Sequence, residues 1–268
     1  MLPFPSRLGA ATEAAGAPLC VGLDPDPTRM PAPHAKGGAL GASVFCRAIV
    51  EATHERAAAF KPNLAFFEAY GPYGWDALAS VCEAFRDSGR LLILDGKRGD
   101  IGNTGRKYAT AMYDRLGGDA ATVAPYMGRD SIAPFLEHEG RCAFVLAATS
   151  NPGGADLQDL AADSQPVWHH TVRLSTEAGR DLPGTVGFVA GATRPDRLDA
   201  IREAAGDAPL LVPGVGAQGG SVADVLAANA GGPILVNSSR GILYASSGDD
   251  FAEAARDAAA RLADALAG

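Results

Sequence analysis

Eight times along this chain a short apolar run stops abruptly at charged, glycine-rich or proline-rich residues. The runs cover 19–23, 57–60, 91–94, 121–124, 143–147, 186–189, 210–212 and 234–236. Each is short, rich in β-compatible residues and apolar at nearly every position, the pattern of parallel strands buried on both faces. Parallel strands need a crossover between them, and helical stretches lie between these runs, among them 43–56, 75–87, 104–115 and 165–180, with 249–266 closing the chain. Such alternation, at about the ~250 residues typical of the fold, predicts an α/β architecture, a (β/α)8 TIM barrel. No compositional break suggests a linker, so residues 1–268 are expected to form a single barrel domain. An open doubly wound sheet is the alternative.

In either architecture the chemistry gathers where strands end. The exit from 91–94 is the densest, since Asp95, Gly96, Lys97, Arg98, Gly99 and Asp100 follow Leu94 directly. Side chains alternate along extended backbone, so Asp95 and Lys97 are expected to face one way, into the mouth of the barrel. Glycines at 96, 99 and 102 free the chain to turn, and Asn103 or Thr104 is placed to cap the next helix. A solvated turn with weak surface ion pairs is the bland reading, and a position directly behind a buried strand weighs against it. This is no phosphate loop of the G-x-x-x-x-G-K-[ST] kind, because Arg98 follows Lys97. Asp24 stands at the exit of the first run, Lys61 at that of the second, and Thr149-Ser150-Asn151-Pro152-Gly153 at that of the fifth.

The last two exits carry a different signal. Residues 214–219 match G-x-G-x-x-G, but the next strand ends in Asn237-Ser238-Ser239-Arg240 with no acid to hold a ribose, so a dinucleotide site is discounted. Loops after the seventh and eighth strands of a barrel commonly cradle a phosphate with backbone N–H groups. Gly214 and Gly216 allow close approach, Gln218 can donate, and Ser239 with Arg240 opens the following helix.

A formal net charge of −8 argues against a nucleic-acid or anionic-membrane partner. No apolar run reaches the ~18 residues of a membrane span, and the first residues lack the order of a signal peptide. Cys20, Cys46, Cys82 and Cys142 are scattered without metal-ligand spacing, which suits a reducing, cytoplasmic setting and signals no metal site.

The pattern D-x-K-x-x-D-I-x-x-T at Asp95, Lys97, Asp100, Ile101 and Thr104, with 213–220, Arg240 and 149–153, resembles orotidine 5′-phosphate decarboxylase in its longer bacterial branch (type 2). The likeness runs from Asp24 to Arg240, and one departure is Gly96 where alanine is usual. It implies conversion of orotidine 5′-monophosphate to uridine 5′-monophosphate without a cofactor. It implies that Lys97 donates a proton to the ring carbon, that Asp95 lies against the departing carboxylate, and that Lys61 and Asp100 complete an alternating array. It further implies Asp24 on the ribose, Ser150 or its neighbour Thr149 on the pyrimidine, and Gln218, Ser239 and Arg240 on the phosphate. Asp100 and Thr104 would serve a partner subunit's site in a homodimer with shared active sites, and Ile101 would bind the substrate. The partner otherwise implied is the small-molecule nucleotide.

Those residue types suit the chemistry. A carbanion-like centre at ring carbon 6 has little delocalisation, and an ammonium held among carboxylates stays protonated and can both stabilise it and protonate it. Two alternatives stand. A sugar-phosphate barrel could use the acids to bind Mg²⁺, which Lys61 opposes, and a non-catalytic phosphate binder would leave the charge array unexplained. His34, His54, His138, His169 and His170 have no role assigned, and 28–38 is read as a mobile connection.

Overall fold

The computed structural model describes every residue except 86, 87, 193 and 216–219, and Pro195 by its backbone alone. Eight parallel strands close into a barrel: β1 (Leu19–Leu23), β2 (Ala59–Pro62), β3 (Leu91–Arg98), β4 (Ala120–Val123), β5 (Cys142–Ala148), β6 (Thr185–Ala190), β7 (Leu210–Pro213) and β8 (Ile234–Ser238). Each strand pairs with its neighbour in sequence, and β1 pairs with β8, Leu19 opposite Val236, to close the ring. The open-sheet alternative is thereby excluded.

Period-2 alternation sorts the strands into two cores. Leu19, Val21, Phe60, Leu92, Leu94 and Val236 point outward and pack under the helices. Cys20, Ala59, Ile93, Ala120, Phe144, Val189, Leu211 and Leu235 point inward, and the opening helix Phe4–Ala15 seals the lower end by inserting Phe4 and Leu8 among them. Phe4 is fully buried and meets Phe144 edge to face, ring centroids 5.8 Å apart. Arg7 from the same helix pairs with Asp119, which also takes Arg141 at 3.1 Å and the Leu92 N–H at 2.8 Å. Two residues further up β2, β3, β4 and β8 the inward positions turn polar: Lys61, Asp95, Thr122 and Asn237 are all buried. The apolar plug thus supplies stability at one end and leaves the other free for chemistry.

Several boundaries differ from those expected. β2 runs over Ala59–Pro62, so Lys61 lies within the strand and not beyond it. β3 reaches Arg98 and contains the charged motif. The helix expected over 104–115 is an α-helix, Gly102–Ala109, continued as a π-helix, Thr110–Arg115. Its N-cap is Ile101, with no side-chain cap, so Asn103 and Thr104 lie in the first turn and do not cap it. The helix expected from 165 starts at Val167, because Gln165–Pro166 pairs with Ala161–Ala162 in a short hairpin. Residues 28–38 are not a loose connection: Ala32–Lys36 is helical, Met30 is buried and the Arg29 guanidinium lies 4.4 Å from the Tyr244 ring centroid.

Truncating the plug should cost stability without touching the opposite end. Phe4→Ala is expected to lose about 3–5 kcal/mol in equilibrium urea unfolding, while kcat at a temperature where the variant is folded stays near wild type.

Candidate active site

Four adjacent strands and their exits deliver five polar groups to the upper end of the barrel, two of them from β3. Lys61 of β2 donates from Nζ to Asp95 Oδ2 at 2.8 Å, and Lys97 donates to Oδ1 at 2.6 Å. Thr122 of β4 donates to the same Oδ1 at 2.9 Å. Asp24, just beyond β1, faces Lys61, and its Oδ1 is buried with no hydrogen-bond partner among the described residues. An orphaned carboxylate oxygen aimed at a polar cavity is a place for a ligand hydroxyl.

Burial by itself would lift Asp95 toward neutrality, but Lys61 and then Lys97 outweigh it and hold the carboxyl well below the usual range. Burial would likewise strip Lys61 of its proton, and Asp95 followed by Asp24 reverse this, raising its pKa so that the amine stays an ammonium. Cys20 beneath the array is pushed up to about 12 by burial and stays a neutral thiol.

Asp95 and Lys97 do reach one site, though not by simple alternation. Leu94 lies opposite Ala121 and Arg98 opposite Val123, so β3 bulges between them. Lys97 sits there at φ +46°, a left-handed conformation that side chains other than glycine's rarely adopt. Gly102 also has positive φ, whereas Gly96 and Gly99 do not and serve close packing instead. A Cβ on Gly99 would lie 2.7 Å from the Ala124 carbonyl oxygen, while one on Gly96 would meet the Met112 terminal methyl at 2.9 Å. A Leu64 methyl would lie 3.1 Å away, so both side-chain ends would have to give for an alanine to fit.

Asp24, Lys61 and Asp95 share a cavity of about 170 Å³ with Gly214, Ser239 and Arg240. Three members of the array, Asp24, Lys61 and Asp95, thus share one hollow with the two phosphate-type exits, and Lys97 joins them through its bond to Asp95. Larger hollows of about 530 and 550 Å³ lie under the opening helix and beside Gly38–Thr53, and neither contains a residue of the array. Gln218 lies outside the described residues. Ser150 and Thr149 sit half-buried at the β5 exit, outside this cavity, and the Thr149 hydroxyl is engaged by Asn151 at 2.6 Å and Gln158 at 2.8 Å. Asp100, Ile101 and Thr104 are not brought into the cavity either. Asp100 accepts the Ile101 N–H at 2.7 Å, and Ile101 and Thr104 are exposed beside it.

Sequence reasoning passed over four residues that build the site: Thr122, Asn63, Asn237 and Tyr244. For Thr122 and Asn237 the usable signal was a polar residue at an inward position of an apolar strand. Nothing in the sequence pointed to Tyr244, whose hydroxyl donates to the Asp24 carbonyl and accepts the Asp26 N–H at 2.7 Å, pinning the β1 exit from across the ring. The β1–β8 seam is equally close at Gly22, where a Cβ would fall 1.9 Å from Ser239 Oγ.

The sequence profile of the orotidine 5′-phosphate decarboxylase / HUMPS family matches residues 17–258. An orotidine 5′-phosphate decarboxylase of Variovorax paradoxus is 47% identical, over 99% of this chain and 98% of its own. One of Roseiflexus castenholzii is 49% identical, over 92% of this chain and 91% of its own. Among solved structures, the OMP decarboxylase of Leishmania donovani superposes with a TM-score of 0.84 at 36% identity, covering 99% of both chains.

Two outcomes follow from the geometry. Both Lys97→Ala and Lys97→Gly remove the amine, but only alanine pays for positive φ, so the glycine variant is expected to be the more stable by about 1 kcal/mol in urea unfolding. The depressed pKa of Asp95 means that its stabilisation is complete above the ordinary carboxyl value of 3.8 and is lost as pH falls below it. Between about pH 4 and pH 2 wild type should therefore lose stability more steeply than Asp95→Asn, by up to about 1.4 kcal/mol per pH unit, read from urea midpoints.

Proposed function

This chain belongs to the orotidine 5′-phosphate decarboxylase / HUMPS family and converts orotidine 5′-monophosphate to uridine 5′-monophosphate and CO2, the last step of de novo pyrimidine nucleotide biosynthesis, and from that premise we propose that Lys97 is its proton donor. The bond from ring carbon 6 to the carboxylate breaks, its electron pair stays on the carbon, and a proton from the Lys97 ammonium takes the place of CO2. The lysine recovers its proton from water. The observation that carries this reading is the Lys61–Asp95–Lys97 array, of which Lys61 and Asp95 line a cavity that also holds Arg240 while Lys97 pairs with Asp95.

Asp95 lies where the substrate carboxylate leaves, and Lys61 keeps it ionised from beneath. Two ammonium groups already occupy lone-pair directions of Asp95, which disfavours a divalent cation there and supports chemistry without a cofactor. Asp24 takes a ribose hydroxyl with its orphaned oxygen. Gly214, Ser239 and Arg240, with Gln218, grip the phosphate, and binding energy from that remote group holds the ring against the amine. Ser150 or its neighbour Thr149 meets the pyrimidine edge.

The active form is a homodimer. Ile101, Tyr126 and Met127 expose apolar surface next to Asp100 and Thr104, and a second copy docking there would carry those two residues to the partner's site. One domain of residues 1–268 and a cytoplasmic location complete the reading. The latter is supported by four buried free thiols, and no helix among the described residues is long and apolar enough to cross a membrane.

Decarboxylation of orotidine 5′-monophosphate, followed by absorbance, tests the assignment. Lys97→Ala is expected to lose on the order of a thousandfold in kcat while still binding the product, and a chelator should leave wild type unchanged. Loss of activity with the chelator would instead mark a metal enzyme. Mixing Lys97→Ala with Asp100→Ala subunits should restore part of the activity, and none in verified heterodimers would refute the shared site.

A further inference from the structure

We propose that Thr122 is a positioning residue for the reaction, its single hydroxyl holding the left-handed backbone of Lys97 and the carboxylate of Asp95 in one frame. The proposal rests on the reading of Lys97 as proton donor. Asp95, Gly96 and Lys97 lie opposite Thr122 alone, because the ladder resumes only at Arg98 and Val123. Inside that bulge the Lys97 N–H loses its ladder partner, and an unpaired N–H at this depth would be costly. Thr122 Oγ1 accepts it at 2.9 Å and passes its own proton to Asp95 Oδ1 at 2.9 Å. The one O–H donor and an acceptor lone pair are both given to the motif, and Thr122 is 3% exposed, so bulk water does not reach the hydroxyl.

The need for such a clamp follows from how Lys97 is held. Its side chain is 49% exposed, and its ammonium touches only Asp95 among the ion pairs of the described residues. The amine is therefore placed mostly from its backbone, which is strained and gains by relaxing to negative φ. Relaxation would swing the Cα–Cβ bond and carry the ammonium away from Asp95. A buried strand at this position would ordinarily take valine, which has the same shape and no hydroxyl.

Thr122→Val, Thr122→Ser and Lys97→Ala, each assayed as the full chain, test this. Thr122→Val is expected to fold with an unfolding midpoint below wild type, since the Lys97 N–H loses its acceptor, and to lose on the order of tenfold to a hundredfold in kcat. KM for orotidine 5′-monophosphate and affinity for uridine 5′-monophosphate should stay within about threefold, because the ribose and phosphate groups are untouched. Thr122→Ser, which restores the hydroxyl without the methyl, should recover most of kcat. Should Thr122→Val not fold, Thr122→Ala, which adds no bulk, takes its place with the same expectations. Full kcat in the valine variant, a parallel loss of product affinity, or failure of serine to rescue overturns the proposal. If Lys97→Ala is itself fully active, the proton-donor reading falls instead; if it is inactive while Thr122→Val is normal, only the role of Thr122 falls.

Discussion

One buried carboxylate shared by two ammonium groups sets the terms for the rest of this barrel. Removing Asp95 and Lys61 from water costs several kcal/mol per ion, and their mutual attraction with added hydrogen bonds offsets that cost without a clear surplus. Such an array is poor evidence for stability and good evidence for chemistry. Its near-neutral sum, with Asp24 facing Lys61, is what keeps the Lys61 amine protonated in a site that would otherwise discharge it.

A price in stability at the upper end has to be offset elsewhere. The inward positions pass from Cys20, Ile93, Ala120 and Leu235 to Asp24, Asp95, Thr122 and Asn237 within two to four residues of strand. Below that level the opening helix drives two large apolar side chains into the barrel and ties itself down through Asp119. Strain at Lys97 and the buried charge around it lie at one rim, and the apolar plug of Phe4 and Leu8 lies at the other.

Closure of the ring gives the site its second dimension. Because β8 returns beside β1, Ser239 comes against Gly22, and Tyr244 reaches back to fix the backbone of Asp24 and Asp26. The group suited to ribose and the groups suited to phosphate are thus held at a set separation by direct contact. Phe45 stacks on the same tyrosine ring, at 6.1 Å between centroids, so the helix after β1 braces the seam from outside.

How much of this was written in the chain can be judged from particular residues. Eight apolar runs with helices between them determined the barrel, since a strand buried on both faces needs a crossover and the runs repeat at barrel spacing. Motif spacing likewise determined that Asp95, Lys97, Lys61, Asp24 and Arg240 stand at strand ends. What the chain did not reveal were the bulge and left-handed turn at Lys97, the part of Thr122, the reach of Tyr244 and the end of β2 beyond Lys61. Each of these depends on which residues of neighbouring strands come opposite one another, and register is decided only when the ring closes and every backbone N–H must find a partner. Local pattern names the strand and its exit; the geometry of a site shared by four strands exists only once they are paired.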